Sequence, residues 1–304
     1  MPTATSTFVE SITCFDKAGH FDVEAQRKHF RRLATAGIGV YVGSNDAGDA
    51  ATLLPEDYDA LLKVGKEELK GKVPFRVASY DGHTARQMIE FYRRASAFSP
   101  DAWQVCSIDP GHGGLRSPQA GDYRTLDLYF HELLPELKLP CYLASNALAG
   151  YLIPVALIKK LAQEFPQIVG INVTHPNINY VTEVMEEMGG KLEVYVTNAN
   201  QALACLAEGG NGFVTTEANI VPKLALSAMR NYEQRKMDEA FTQIGQLATI
   251  NAECGRTAGV KTALELLGLI PCGDSRKPRF PATAEEKKEV EAWVTRLKIK
   301  ELAA

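Results

Sequence analysis

The stretch Ile168-Val169-Gly170-Ile171-Asn172-Val173-Thr174-His175, set between Pro166 and Pro176, decides how the rest of the chain is read. Its β-branched run is short, and apolar residues occupy both alternations. That pattern predicts a strand buried on both faces. Strands covered on both faces belong to parallel sheets, whose crossovers are helices. The run stops at polar groups, and in such sheets the carboxyl ends of the strands carry the chemistry.

The same rhythm repeats outward in both directions. Strands are predicted at Phe8–Thr13, Val40–Ser44, Phe75–Ser79, Trp103–Ser107, Cys141–Ala144, Ile168–Asn172, Glu193–Thr197 and Gly212–Thr216. Amphipathic stretches alternate with them at Val23–Ala36, Pro55–Leu69, Thr84–Ala97, Tyr123–Leu137, Pro154–Glu164, Ile178–Met188, Asn200–Glu208 and Val221–Asn231. Pro55 and Pro154 suit the first helical turn, where the missing N–H costs nothing. Eight such units in about 230 residues predict an α/β fold, a (β/α)8 TIM barrel. We place the barrel at residues 1–231 and a C-terminal three-helix extension of the same domain at 232–304. The extension's helices, near Gln234–Asn251, Thr257–Leu267 and Ala284–Leu297, have no strands to cover. Gly255 and the Pro/Gly/Arg-rich segment Pro271–Pro281 separate them.

Composition narrows the function classes. The 304 residues are 45% hydrophobic and 23% charged with a net charge of -4, so no basic face of the kind nucleic acid requires is present. No apolar run approaches the ~20 residues of a membrane span, and Met1–Glu10 lacks the layout of a secretory leader. The expected setting is cytoplasmic and the expected partner a small molecule. The six cysteines, Cys14, Cys106, Cys141, Cys205, Cys254 and Cys272, are scattered and read as small buried hydrophobes. No two of the six histidines share a helix face at metal-ligand spacing, and no phosphate-cradling glycine motif occurs, so no metal or cofactor is expected.

The strand ends then select the candidate residues: Cys14 and Asp16; Ser44, Asn45, Asp46 and Asp49; Tyr80, Asp81 and His83; Asp109 and His112; Tyr142, Ser145 and Asn146; Asn172, Thr174 and His175; Asn198 and Asn200; and Thr215, Thr216, Glu217 and Asn219. Gly43-Ser44-Asn45-Asp46-Ala47-Gly48-Asp49 has the chemistry to offer backbone N–H groups and a hydroxyl to an anion, and equally that of an ordinary turn. Asp109-Pro110-Gly111-His112-Gly113-Gly114 carries one carboxylate and one imidazole on a glycine loop. Tyr142 at a strand end would be a phenolic proton relay or a core aromatic.

These residues resemble the N-acetylneuraminate lyase and dihydrodipicolinate synthase superfamily of class I pyruvate aldolases, nearly end to end. Phe15-Asp16 through Gly19 to Asp22 is similar to the family opening. Gly43-Ser44-Asn45 with Gly48-Asp49 and Leu53 resembles the family's glycine, two hydroxyl or amide residues and Gly-Glu, here with Asp46 and Ala47 inserted and Asp49 for Glu. The Ser-Asn version looks most like the branch of 4-hydroxy-2-oxoglutarate aldolases and fungal 2-keto-3-deoxy sugar acid aldolases. Ala218-Asn219 and Gly259-Val260-Lys261-Thr262-Ala263-Leu264-Glu265-Leu266-Leu267-Gly268, with Pro278 after them, resemble the end of the barrel and its tail.

The resemblance implies that Ser44 and Asn45 hold the carboxylate of a 2-oxo acid, that Tyr142 shuttles protons, and that the protein is a homodimer or homotetramer. It also implies a Schiff-base lysine on the sixth strand, in a pattern Ile-x-Gly-x-Lys-x-Thr. Here that position is Asn172, and an amide cannot condense with a ketone. The family's Tyr-Asn-x-Pro reads Tyr142-Leu143-Ala144-Ser145, a joint drift that points to natural divergence. Three functions follow. The first is a lyase acting on a 2-oxo acid or related carbonyl compound by acid/base chemistry without an imine, through dehydration, cyclisation, isomerisation or a retro-aldol step. Its catalytic set is Tyr142, Asn172, His175, Asp109 and His112, and its substrate-binding set Ser44, Asn45, Thr174, Asn198 and Thr215. The second is a conventional pyruvate-releasing aldolase of 2-keto-3-deoxy sugar acids, and the third a catalytically silent metabolite-binding barrel.

Overall fold

The structure, a computed structural model, describes residues 6–78, 82, 84–107, 123–146 and 152–303. Eight strands close into a barrel in sequence order: β1 (Ser6–Glu10), β2 (Gly39–Val42), β3 (Phe75–Val77), β4 (Ala102–Cys106), β5 (Cys141–Asn146), β6 (Ile168–Thr174), β7 (Glu193–Val196) and β8 (Gly212–Thr215). The helices between and after them are α1 (Val23–Ala36), α2 (Pro55–Glu68), α3 (Ala85–Ala95), α4 (Arg124–Leu133), α5 (Val155–Glu164), α6 (Ile178–Met188), α7 (Ala202–Ala207) and α8 (Pro222–Glu233). Four more close the described chain: α9 (Met237–Cys254), α10 (Thr257–Leu266), α11 (Ala284–Arg296) and the short α12 (Ile299–Ala303). This is the (β/α)8 TIM barrel expected from the sequence, with C-terminal helices. The fourth tail helix, α12, was not foreseen. Contacts group Val77–Val214 with the chain start up to Ser6 into one compact unit, and Thr7–Arg76 with Thr215 onward into a second.

Local chemistry sets the boundaries. Asp22 caps α1 by accepting from Ala25 N at 2.9 Å, and Gly37, at φ 89°, ends it in the left-handed conformation that glycine takes without strain. Thr84 caps α3 and Asn177 caps α6 in the same way. Strand β1 begins two residues earlier than its apolar run suggested and ends at Glu10. Beyond it Ile12 N is bound by the Asn219 side chain, and the Thr13 hydroxyl donates to Gly48 O. Side chains replace the ladder there.

The register of β4 to β8 shows which residues face inward. Trp103 of β4 packs its ring on Tyr92 of α3, 5.1 Å between centroids, so the alternate residues Gln104 and Cys106 point away from the helices. Registered neighbours on parallel strands share a face. One interior row is therefore Gln104, Tyr142, Gly170 and Glu193, and the next toward the carboxyl ends is Cys106, Ala144, Asn172, Tyr195 and Gly212. Asn146 and Thr174 pair one row further on. Gly170 is required by packing: a Cβ there would lie 2.4 Å from the Tyr142 ring.

Candidate active site

Strand β6 runs two residues past the predicted end, to Thr174. Asn172 therefore stands inside the barrel rather than at its rim, only 1% exposed. Neither its Nδ2 nor its Oδ1 has a hydrogen-bond partner among the described residues. Such a group is costly, about 1–3 kcal/mol for each buried polar atom left unpaired. A second buried asparagine shows the usual outcome. Asn219 donates to Glu10 O at 2.8 Å and Thr216 O at 2.7 Å, and its Oδ1 accepts from Ile12 N and from His29 Nε2 at 2.9 Å. His29 is held neutral there, its pKa brought down to about 3 by burial and then by the charge of Arg32.

Around Asn172 the polar groups divide into two levels. Toward the carboxyl ends, the Thr174 and Thr197 hydroxyls bond each other. Asn198 turns its Oδ1 to Gln201 N at 3.0 Å, capping the turn that follows β7. Gln201 Nε2 in turn donates to His175 O at 2.6 Å. His175 stacks on Tyr180, and its Nδ1 lies 2.9 Å from both N and O of Asn177, so that edge of the ring is tied to its own loop. Below it, the Tyr180 hydroxyl meets Ser145 Oγ at 2.8 Å and donates to Ile153 O. Burial pushes the Tyr180 phenol above the ordinary tyrosine range, so it is a neutral donor.

Toward the amino ends, Tyr142 Oη and Tyr195 Oη donate to the same Glu193 oxygen at 2.8 and 2.9 Å, and Ser6 Oγ lies 2.8 Å from Tyr195 Oη. Tyr142 lies deeper in the barrel than a strand-end residue. It is the second residue of β5, registered with Gly170, so its phenol lies one row below Asn172; the residue beside Asn172 is Ala144. The apolar run Cys141-Tyr142-Leu143-Ala144 gave no sign that the strand would continue to Asn146. Tyr195, the other register neighbour of Asn172, was hidden in an alternating strand with nothing to distinguish it from core.

The loop after β2 is built as a compact turn. Gly43 has φ 78° and its carbonyl accepts from Tyr58 Oη at 2.5 Å; a Cβ there would lie 2.1 Å from that oxygen. The Asp46-Ala47 insertion folds back so that Gly48 N donates to Ser44 Oγ at 3.1 Å and Ala50 N to Ser44 O at 3.2 Å. With its lone pair occupied by an N–H, the Ser44 hydroxyl has its proton available to give. Asn45 Oδ1 is buried and unpartnered among the described residues. Asp49, fully buried with φ 54°, forms an ion pair with Lys261 of α10 at 2.7 Å.

At the carboxyl end of β8, Thr215 Oγ1 accepts from Ala218 N at 3.1 Å. Glu217 is also buried, one oxygen accepting from Asn251 Nδ2 at 3.0 Å and the other without a hydrogen-bond partner among the described residues. Burial raises its pKa to about 7. The other expected residues, Asp109 and His112, lie outside the described residues, as do Tyr80, Asp81 and His83. No described strand residue is a lysine; the cation on a strand is Arg76 of β3, whose guanidinium lies over the Phe8 ring. Lys261 is buried, yet its amine is engaged as an ammonium donor to Asp49. Among the described residues no helix is long and apolar enough to cross a membrane.

A closed parallel barrel with polar groups at its strand ends and a helical tail defines the class, a (β/α)8 barrel with C-terminal helices. Residues 4–297 match the model of the dihydrodipicolinate synthetase family, and the chain belongs to that family of aldolase-like lyases. The 4-hydroxy-tetrahydrodipicolinate synthase of Bacillus subtilis (strain 168) is 26% identical over 291 residues, 94% of this chain and 97% of the relative. In fold, the chain is similar to the 4-hydroxy-tetrahydrodipicolinate synthase of Methylacidiphilum fumariolicum SolV, with a TM-score of 0.87 at 20% identity over 99% of this chain and 100% of that one. YagE of E. coli K12, crystallised with pyruvate, gives a TM-score of 0.86 at 20% identity over 97% and 99%.

Proposed function

We propose that the protein is a lyase for a 2-oxo acid or related carbonyl compound that works by hydrogen bonding and proton transfer, without an imine. The observation that carries this is Asn172. It occupies the lysine position of the family pattern, buried, with an amide donor and acceptor both unpaired. An amide N–H aimed at a carbonyl oxygen stabilises the enolate that forms when a neighbouring C–H or C–C bond breaks. That suits dehydration, cyclisation, isomerisation or a retro-aldol step on an activated substrate. Ser44 and Asn45 take the substrate carboxylate in this reading, and the Ser-Asn pair supports kinship with the branch of 4-hydroxy-2-oxoglutarate aldolases and fungal 2-keto-3-deoxy sugar acid aldolases. Thr174 belongs to the binding set, whereas Asn198 and Thr215 are engaged by backbone N–H groups and act through loop shape. His175 and the unassigned pair Asp109 and His112 supply the proton transfer. We infer a homo-oligomer, as the resemblance implies, and a cytoplasmic setting, as the composition suggests.

Borohydride reduction with pyruvate, read by intact-protein mass spectrometry, tests this against a conventional aldolase. The expected result is no adduct on the natural chain and a reduced pyruvyl adduct on Asn172→Lys. An adduct on the natural chain sinks the proposal, and peptide mapping then locates the amine. A broad 2-oxo acid and sugar acid panel that gives binding without turnover leaves the silent barrel as the function.

A further inference from the structure

We propose that Lys261 and Arg279, from the C-terminal helical part, are positioning residues that set the Ser44 hydroxyl for a carboxylate ligand. This rests on the carboxylate role of Ser44 and Asn45 given above.

Asp49 is a fully buried carboxylate in a left-handed backbone conformation that few residues other than glycine adopt. Something must hold both the charge and the turn. Lys261 Nζ donates to its Oδ2 at 2.7 Å, Ser275 Oγ reaches the same oxygen at 3.3 Å, and Arg279 Nε lies 3.2 Å from Oδ1. That last contact is an ion pair without a hydrogen bond, and Arg279 gives its terminal N–H groups to the loop itself, donating to Asp46 O at 2.7 Å and to Asn45 O, while Thr257 Oγ1 adds a second bond to Asp46 O at 3.2 Å. Lys261 is steadied over the Phe15 ring, 4.7 Å from its centroid. All these clamps except Phe15 come from residues 257–279, a part of the chain with no strand to cover.

The clamp reaches the ligand-facing group through one covalent step. Gly48, next to Asp49, gives its N–H to Ser44 Oγ, and that bond fixes the hydroxyl oxygen while leaving its proton free to donate. On the far side Thr13 Oγ1 holds Gly48 O at 2.6 Å. Gly48 has no room to drift with a side chain, since a Cβ would lie 2.5 Å from Ser44 N. Residues 257–279 therefore fix the β2 loop from behind, holding the groups whose positions set the Ser44 hydroxyl.

The test uses the full chain and the variants Lys261→Met, Lys261→Arg and Asp49→Asn/Lys261→Met. Calorimetry measures pyruvate affinity, hydrogen exchange the Gly48 and Ala50 amides, and thermal melts the folded state. Lys261→Met is expected to weaken pyruvate at least tenfold and to speed exchange at Gly48 at least tenfold, and Lys261→Arg to restore part of both. The double variant removes both buried charges, so it regains the melting temperature but not the affinity. If its affinity returns with its stability, the pair is merely structural and the proposal is overturned. Unchanged Gly48 exchange in a folded Lys261→Met overturns it whether or not pyruvate binds. A natural chain that binds no pyruvate while Gly48 exchange responds overturns the carboxylate reading instead.

Discussion

Replacing Asn172 by leucine should make the protein more stable and inactive. Leucine keeps the branch at Cγ and removes both unpaired polar atoms, each worth about 1–3 kcal/mol of desolvation left unrecovered. Against that gain stands the extra bulk of the leucine, about 1–3 kcal/mol where a packed core must shift. Of its two neighbours in the row, Ala144 is small and limits the crowding on one side, while Tyr195 stands on the other. A net gain of about 2 kcal/mol is expected. Over 304 residues the unfolding entropy is about 0.6 kcal/mol per kelvin, so the melting temperature rises by about 3 °C. Scanning calorimetry of Asn172→Leu beside Asn219→Leu makes the comparison internal. Asn219 has four partners, and its loss should cost about 3 kcal/mol or more. If the two variants melt alike, both below the natural chain, the Asn172 amide is paired in solution. The observation carrying the proposed mechanism would then be gone.

Three further outcomes follow from the same structure. Glu217, with its pKa raised by burial from about 4.5 to about 7, binds a proton in the folded state that the unfolded chain releases. Its contribution is therefore full below pH ~4.5 and is lost as pH rises through ~7, a total of about 3 kcal/mol. Urea denaturation should show Glu217→Gln gaining on the natural chain across that window, and a flat difference refutes the shift. Tyr142→Phe should cost about 1 kcal/mol, one hydrogen bond to Glu193, with turnover little changed; a loss of ~100-fold in kcat, the scale of a general acid or base, would return the phenol to the chemistry. Gly170→Ala forces a methyl against the Tyr142 ring and the Glu193 carbonyl and should destabilise by about 1–3 kcal/mol in the same denaturation assay; an unchanged midpoint would refute the close packing.

Residues near one another in sequence determined the architecture. The apolar run of β6, its repetition between amphipathic stretches, and helix-start residues such as Asp22 and Thr84 act through backbone geometry and burial within a dozen positions. Local pattern was therefore enough for the eightfold rhythm, and for Asn172 as the odd residue of its strand. The levels inside the barrel were not legible. Whether Tyr142 or Ala144 stands beside Asn172 depends on pairing register between strands, and a shift of one pair of residues changes the row without changing the pattern. Nor was the hold on the β2 loop legible. Lys261 and Asp49 are separated by 212 positions, and a lysine in an amphipathic helix reads as solvent-facing until the tail packs and buries it against a carboxylate. Asn172 and Asn219 are alike as letters. Only the tertiary structure gives one four partners and leaves the other none among the described residues, because hydrogen-bond satisfaction depends on what the whole fold brings within three ångströms.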